Sequence, residues 1–96
     1  MSDPEPESLV RQMTICNKRG LHARASATFV KCAGLFDATI TVSKDGQTVG
    51  ATSIMGLMML AAAPGSVIKV AATGADAEEA LNTLSTLVEC GFGEAI

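Results

Sequence analysis

The sequence predicts an α+β fold: an open-faced two-layer sandwich in which a four-stranded antiparallel sheet is covered on one face by three helices, in the order βαββαβα. Three observations carry this expectation. Apolar residues recur at helical spacing over residues 21–36 and 77–88, short β-branched runs stand before and between those stretches, and turns bearing Gly or Pro separate the two kinds of segment. A helix stripe or a sheet face of this kind must bury itself against another element, so the two layers imply each other.

The first strand spans residues 9–16, where Val10, Met13 and Ile15 stand with the β-branched Thr14, and it runs into the polar loop Asn17, Lys18, Arg19, Gly20. Leu21, Ala25, Phe29, Cys32 and Phe36 then follow at steps of three or four, one stripe of a helix that begins near His22 and stops around Gly34. Residues 38–43 alternate, with Ile40 and Val42 on one face and threonines on the other. Asp45 and Gly46 supply a turn, and residues 47–51 return as a hairpin partner. Ser53 precedes Ile54, Met55, Gly56, Leu57, Met58, Met59 and Leu60, a run too poor in β-branching for a strand; a short helix capped by Ser53 is expected. Pro64 and Gly65 turn the chain into a fourth strand over residues 66–73, which Gly74 closes. Asp76 stands three residues before Glu79, a capping arrangement for a last helix whose stripe is Ala77, Ala80, Leu81, Leu84 and Val88 and which Gly91 ends.

A chain of 96 residues buries only about two-thirds of its unfolded surface and supports one core. The expectation is a single domain over residues 9–96 behind a disordered acidic extension, residues 1–8, which holds three of the ten acids and no base. That extension lacks the basic start and apolar run of a signal peptide, and no segment reaches the roughly 18 apolar residues of a membrane span, so a cytoplasmic protein with no membrane partner is expected. A net charge of −3 with no Trp or Tyr argues against nucleic acid. Cys16, Cys32 and Cys90 form no C-x-x-C pair and stand near no second ligand at zinc-like spacing, so they are read as reduced, packed thiols with no metal.

His22 is the one histidine. At a helix start, backbone N–H groups lack intrahelical partners and the macrodipole adds about half a positive charge, which favours a neutral, nucleophilic imidazole and also holds the negative charge of a phosphoryl group placed on it. The backbone N–H groups of Ala23 and Arg24 are the candidate phosphate donors, and the Arg24 guanidinium adds a fork for phosphate oxygens beside Lys18 and Arg19. There is no P-loop, no glycine-rich nucleotide fingerprint and no acidic set for magnesium, so the chain is expected to hold a phosphoryl group without extracting one from a nucleotide, with no cofactor. It needs donor and acceptor proteins. After Ser53, Ile54, Leu57, Met58 and Leu60 cannot all face one core and Met55 with Met59 widens the apolar band, so part of that helix is expected to be a docking surface. Phosphate on Ser53 suits the helix dipole while placing charge beside Ile54 and Met55. A non-covalent anion- or protein-binding module is the competing class, in which His22 is dispensable.

These residues closely resemble the HPr family, the histidine-containing phosphocarriers of the phosphoenolpyruvate-dependent phosphotransferase system. The segment 20–27, GLHARASA, is similar to the family's active-site motif, and 53–60, SIMGLMML, to its regulatory-serine motif. The resemblance implies that His22 is phosphorylated on Nδ1 by enzyme I and passes the group to IIA components, with Arg24 assisting. It also implies that Ser53 is the target of an HPr kinase/phosphorylase, that Ile54, Met55, Met58, Met59 and Ala27 meet partners, and that the protein is a monomer and not an enzyme. Ala25 stands where the family commonly has Pro, and Thr52 where it commonly has Lys or Arg. A regulatory, nitrogen-type paralogue that controls target proteins instead of feeding sugar uptake is the alternative within the family.

Overall fold

The computed structural model describes residues 8–94; the acidic extension expected over residues 1–8 lies, Ser8 apart, outside the described residues. The elements are β1 (Leu9–Thr14), α1 (Ala23–Ala33), β2 (Thr39–Lys44), β3 (Gln47–Gly50), α2 (Ile54–Met59), β4 (Val67–Thr73), α3 (Ala77–Glu89) and a terminal 3-10 turn (Gly91–Gly93). All pairings in the sheet are antiparallel, in the spatial order β1-β4-β2-β3. The last strand in the chain is therefore an inner one. Its partners fix the register: Met13 lies opposite Ile68, and Val42 opposite Val70.

Alternation selects the covered face. Met13, Ile40, Val42, Ile68, Val70 and Ala72 point under the helices and are buried, while Gln12, Thr14, Thr39 and Lys69 line the open face. From above, Phe29 and Ala25 of α1, Leu57 of α2, and Ala80, Leu81, Leu84 and Val88 of α3 close the core. The stripe expected for α3 is buried throughout. That of α1 rotates slightly: Ser26 and Ala33 are buried, and Cys32 and Phe36 are only partly covered. The hydroxyl of Ser26 is satisfied by donating to the Leu21 carbonyl at 3.2 Å.

Two local expectations are corrected. The first strand ends at Thr14, although Ile15 still donates to the Ser66 carbonyl and accepts from the Gly65 amide in the approach to β4. Asp76 does not cap α3 through its side chain. Its backbone (φ −105, ψ 19) is not the extended conformation of a capping residue. Its carboxylate instead accepts the Asp37 amide at 2.8 Å, while its own amide donates to the Asp37 carbonyl at 3.0 Å. The residue clamps the α1–β2 loop to the start of α3. Of the cysteines, Cys16 and Cys32 are half-buried and Cys90 is exposed, all as free thiols.

Ahead of α1, Gly20 adopts φ +62, and a Cβ there meets the Ala62 carbonyl oxygen at 2.2 Å. The next amide, that of Leu21, donates to that same oxygen at 2.9 Å. Only glycine lets the two backbones approach so closely in this conformation. Gly20→Ala is therefore expected to destabilise the protein by about 2–3 kcal/mol, from left-handed strain plus displaced backbone, as read by urea unfolding; a loss below about 0.5 kcal/mol contradicts this account.

Candidate functional site

Helix α1 begins with amides that no intrahelical carbonyl can satisfy. His22 is its N-cap: the backbone is extended (φ −77, ψ −176) and Nδ1 of the ring accepts the Arg24 amide at 3.3 Å. The imidazole thus does what a serine or aspartate oxygen does at other helix starts. A nitrogen that accepts a hydrogen bond carries no proton, so in the neutral ring the proton sits on Nε2. Nε2 lies 2.7 Å from Oε2 of Glu94 and donates to it.

Glu94 reaches the ring from the far end of the chain. After α3, Gly91, Phe92 and Gly93 take φ values of +62, +57 and +77, three successive left-handed residues that curl the chain back. Phe92 is buried by this turn, which offsets the strain of an aromatic residue in that region. The carboxylate is then held from its other side, because Oε1 accepts Nδ2 of the buried Asn17 at 3.0 Å. The same amide group donates to the Gly20 carbonyl at 2.9 Å. Donation from Asn17, above all, holds the Glu94 carboxyl below its ordinary pKa; the hydrogen bond and electrostatic attraction of His22 and the Arg24 charge act the same way, against burial, which pushes it up.

Lys18, Arg19 and Arg24 surround His22 and Glu94 in an open cavity of about 510 Å³. Three cations against one carboxylate make a depression suited to an additional anion, next to the positive end of α1. Ala23 and Arg24 occupy the first two helical positions, as expected, with the Arg24 amide engaged by Nδ1.

Ser53 is the N-cap of α2, its exposed hydroxyl oxygen accepting the Gly56 amide at 2.9 Å. Beyond it the apolar band divides: Leu57 and Leu60 are buried, while Ile54 and Met58 are exposed by 41% and 42% and Met55 and Met59 by 73% and 72%. Four large apolar side chains on one short helix face solvent. Ala27, on the neighbouring α1, is half-buried. Sequence reasoning did not single out Asn17 or Glu94. Glu94 stands 77 positions from Asn17 and 72 from His22, too far for any local pattern to link them, and Asn17, only five residues before His22, has no role until that carboxylate arrives; the one available hint was the unassigned Phe92 between two glycines.

Residues 9–90 match the PTS-HPr family, whose description is "PTS HPr component phosphorylation site". The phosphocarrier protein HPr of Cupriavidus necator is 48% identical over 86 residues, 90% of this chain and 97% of that protein. The phosphocarrier protein NPr of Shewanella violacea is 44% identical over 87 residues, 91% of this chain and 96% of that protein. Among solved structures, HPr-C-His from Thermoanaerobacter tengcongensis superposes with a TM-score of 0.87 at 45% identity, covering 92% of this chain and 99% of that one.

The depressed pKa of Glu94 fixes the sign of an acid effect. A carboxylate favoured in the folded state contributes stability that is fully present above its unfolded pKa and is lost as pH falls through the folded value. Carbon-13 NMR of the Glu94 carboxyl is expected to give a midpoint below the ordinary glutamate value of about 4.3; a midpoint at or above it contradicts the clamp by Asn17 and His22.

Proposed function

The chain belongs to the HPr family of phosphocarriers, which are carriers and not enzymes, and on that footing we propose that His22 accepts a phosphoryl group on Nδ1 from phosphorylated enzyme I and passes it to a IIA component. The observation that carries this reading is Nδ1 of His22 at the N-terminus of α1, placed to accept the Arg24 amide, so that its lone pair points at the helix end. In transfer, that lone pair forms the bond to phosphorus as the bond from phosphorus to the donor breaks and its electron pair leaves with the donor. The Arg24 amide, released from Nδ1, turns to a phosphoryl oxygen together with the Ala23 amide, and the Arg24 guanidinium supplies a forked contact. Lys18 and Arg19 add positive potential. The acid-base work is small, since the proton on Nε2 need not move.

Ile54, Met55, Met58 and Met59, with Ala27 beside them, form the docking surface. Flexible, polarisable methionines suit a face that must meet both donor and acceptor. Ser53, exposed at the edge of that surface, is the regulatory phosphorylation site for an HPr kinase/phosphorylase. Its phosphate would satisfy the free amides of α2 and place charge against the apolar contact. The similarity to an NPr at nearly the same identity as to an HPr supports a second reading, a regulatory nitrogen-type carrier with the same chemistry. The two part company in the IIA component that drains the phosphoryl group.

Incubation with phosphoenolpyruvate and enzyme I is expected to label His22 with an acid-labile, base-stable phosphoryl group and to leave His22→Ala unlabelled; a label elsewhere, or none, overturns the proposal. Ser53→Ala is expected to cost about 1 kcal/mol of stability through the lost cap. Ser53→Asp keeps a capping oxygen and should stay within about 0.5 kcal/mol of the parent, while raising the KM for transfer from enzyme I roughly ten-fold. An unchanged KM removes Ser53 from the docking edge.

A further inference from the structure

Both oxygens of the Glu94 carboxylate are occupied by residues more than seventy positions away in sequence: Oε2 by the His22 ring and Oε1 by the Asn17 amide. Asn17 is fully buried, and its amide cannot be turned the other way, because both neighbours of Nδ2, the Gly20 carbonyl and the Glu94 carboxylate, are acceptors. Gly20 is in turn fixed by its approach to Ala62. A rigid buried group therefore aims a carboxylate at one nitrogen of the histidine, an arrangement that elsewhere sets which ring nitrogen carries the proton.

We propose that Asn17 and Glu94 form a positioning relay behind the His22 ring, in which Glu94 holds Nε2–H so that Nδ1 is presented as the lone-pair nitrogen and the ring stays in place once Nδ1 is bonded to phosphorus. The inference rests on the reading of His22 as the phosphoryl acceptor. In the free protein the ring has two hydrogen bonds, one on each nitrogen. Transfer converts the Nδ1 lone pair into the N–P bond, the donor keeps the electron pair of the bond that breaks, and the proton remains on Nε2. The bond to Arg24 is thereby lost, and Glu94 is the partner that remains on the ring. The ring now bears positive charge and faces a carboxylate. Glu94 accordingly contributes more to the phosphorylated form than to the free one, which is the condition for promoting transfer.

The test uses the full chain with nitrogen-15-labelled histidine and two variants, Glu94→Ala and Glu94→Gln, with thermal unfolding as the control for folding. The parent is expected to show a slowly exchanging Nε2–H resonance in both free and phosphorylated protein. Glu94→Ala should lose it, and its single-turnover rate of transfer from enzyme I should fall roughly ten-fold, with Glu94→Gln between the two. An Nε2–H resonance and transfer rate unchanged in Glu94→Ala overturn the relay and leave the carrier reading standing. If neither parent nor variants are phosphorylated, the carrier reading falls. The relay is then decided on the free protein alone: a resonance present in the parent and lost in Glu94→Ala supports it, and a proton on Nδ1 in the parent overturns it.

Discussion

The passage of the Gly20 backbone against Ala62 decides where α1 begins, and with it where the histidine stands. With φ +62 and no side chain, Gly20 lets the Leu21 amide reach the Ala62 carbonyl, so the loop after β1 is tied to the loop after α2. Leu21 then drops into the core and His22 stays at the rim, one residue before the first turn. Asn17 closes the loop on itself through the Gly20 carbonyl and extends outward to Glu94. A displaced Gly20 would move the nucleophile, its cap and its carboxylate partner together.

The site also shows a local rule set aside. Histidine is not a favoured N-cap, and Arg24 in the first turn opposes the helix dipole. Helix α1 holds because Leu21, Ala25 and Phe29 anchor it in the core, so packing outweighs an end that favours chemistry over stability. The same economy governs α2, where Leu57 and Leu60 supply the anchorage and Ile54, Met55, Met58 and Met59 are left to solvent. Six residues with a serine cap make a short platform that owes its position to neighbours.

Much of the architecture was legible because its signals are local. The alternation of Ile40 and Val42, the Asp45–Gly46 turn and the stripe of Ala77, Ala80, Leu81, Leu84 and Val88 each state their element within a few residues, and each lies where expected. His22 was legible for the same reason: a loop ending in glycine, followed by a helical stripe, puts it at a helix start. Asp76 misled because the three-residue spacing to Glu79 is necessary for a capping box but not sufficient. Its carboxylate found the Asp37 amide, a competitor brought in by the fold.

By itself the sequence determined the elements and their order, the helix end that His22 occupies, and the apolar excess after Ser53, since these follow from periodicities of two and 3.6 residues and from turn chemistry. Tertiary structure alone decided that β4 lies between β1 and β2, which half of the α2 band is buried, and that a carboxylate meets Nε2 of His22. The last depends on Glu94, which only the closed sandwich and the left-handed turn through Phe92 bring to the ring and to Asn17. A hydrogen bond at 2.7 Å between residues seventy-two positions apart leaves no periodic trace in the chain.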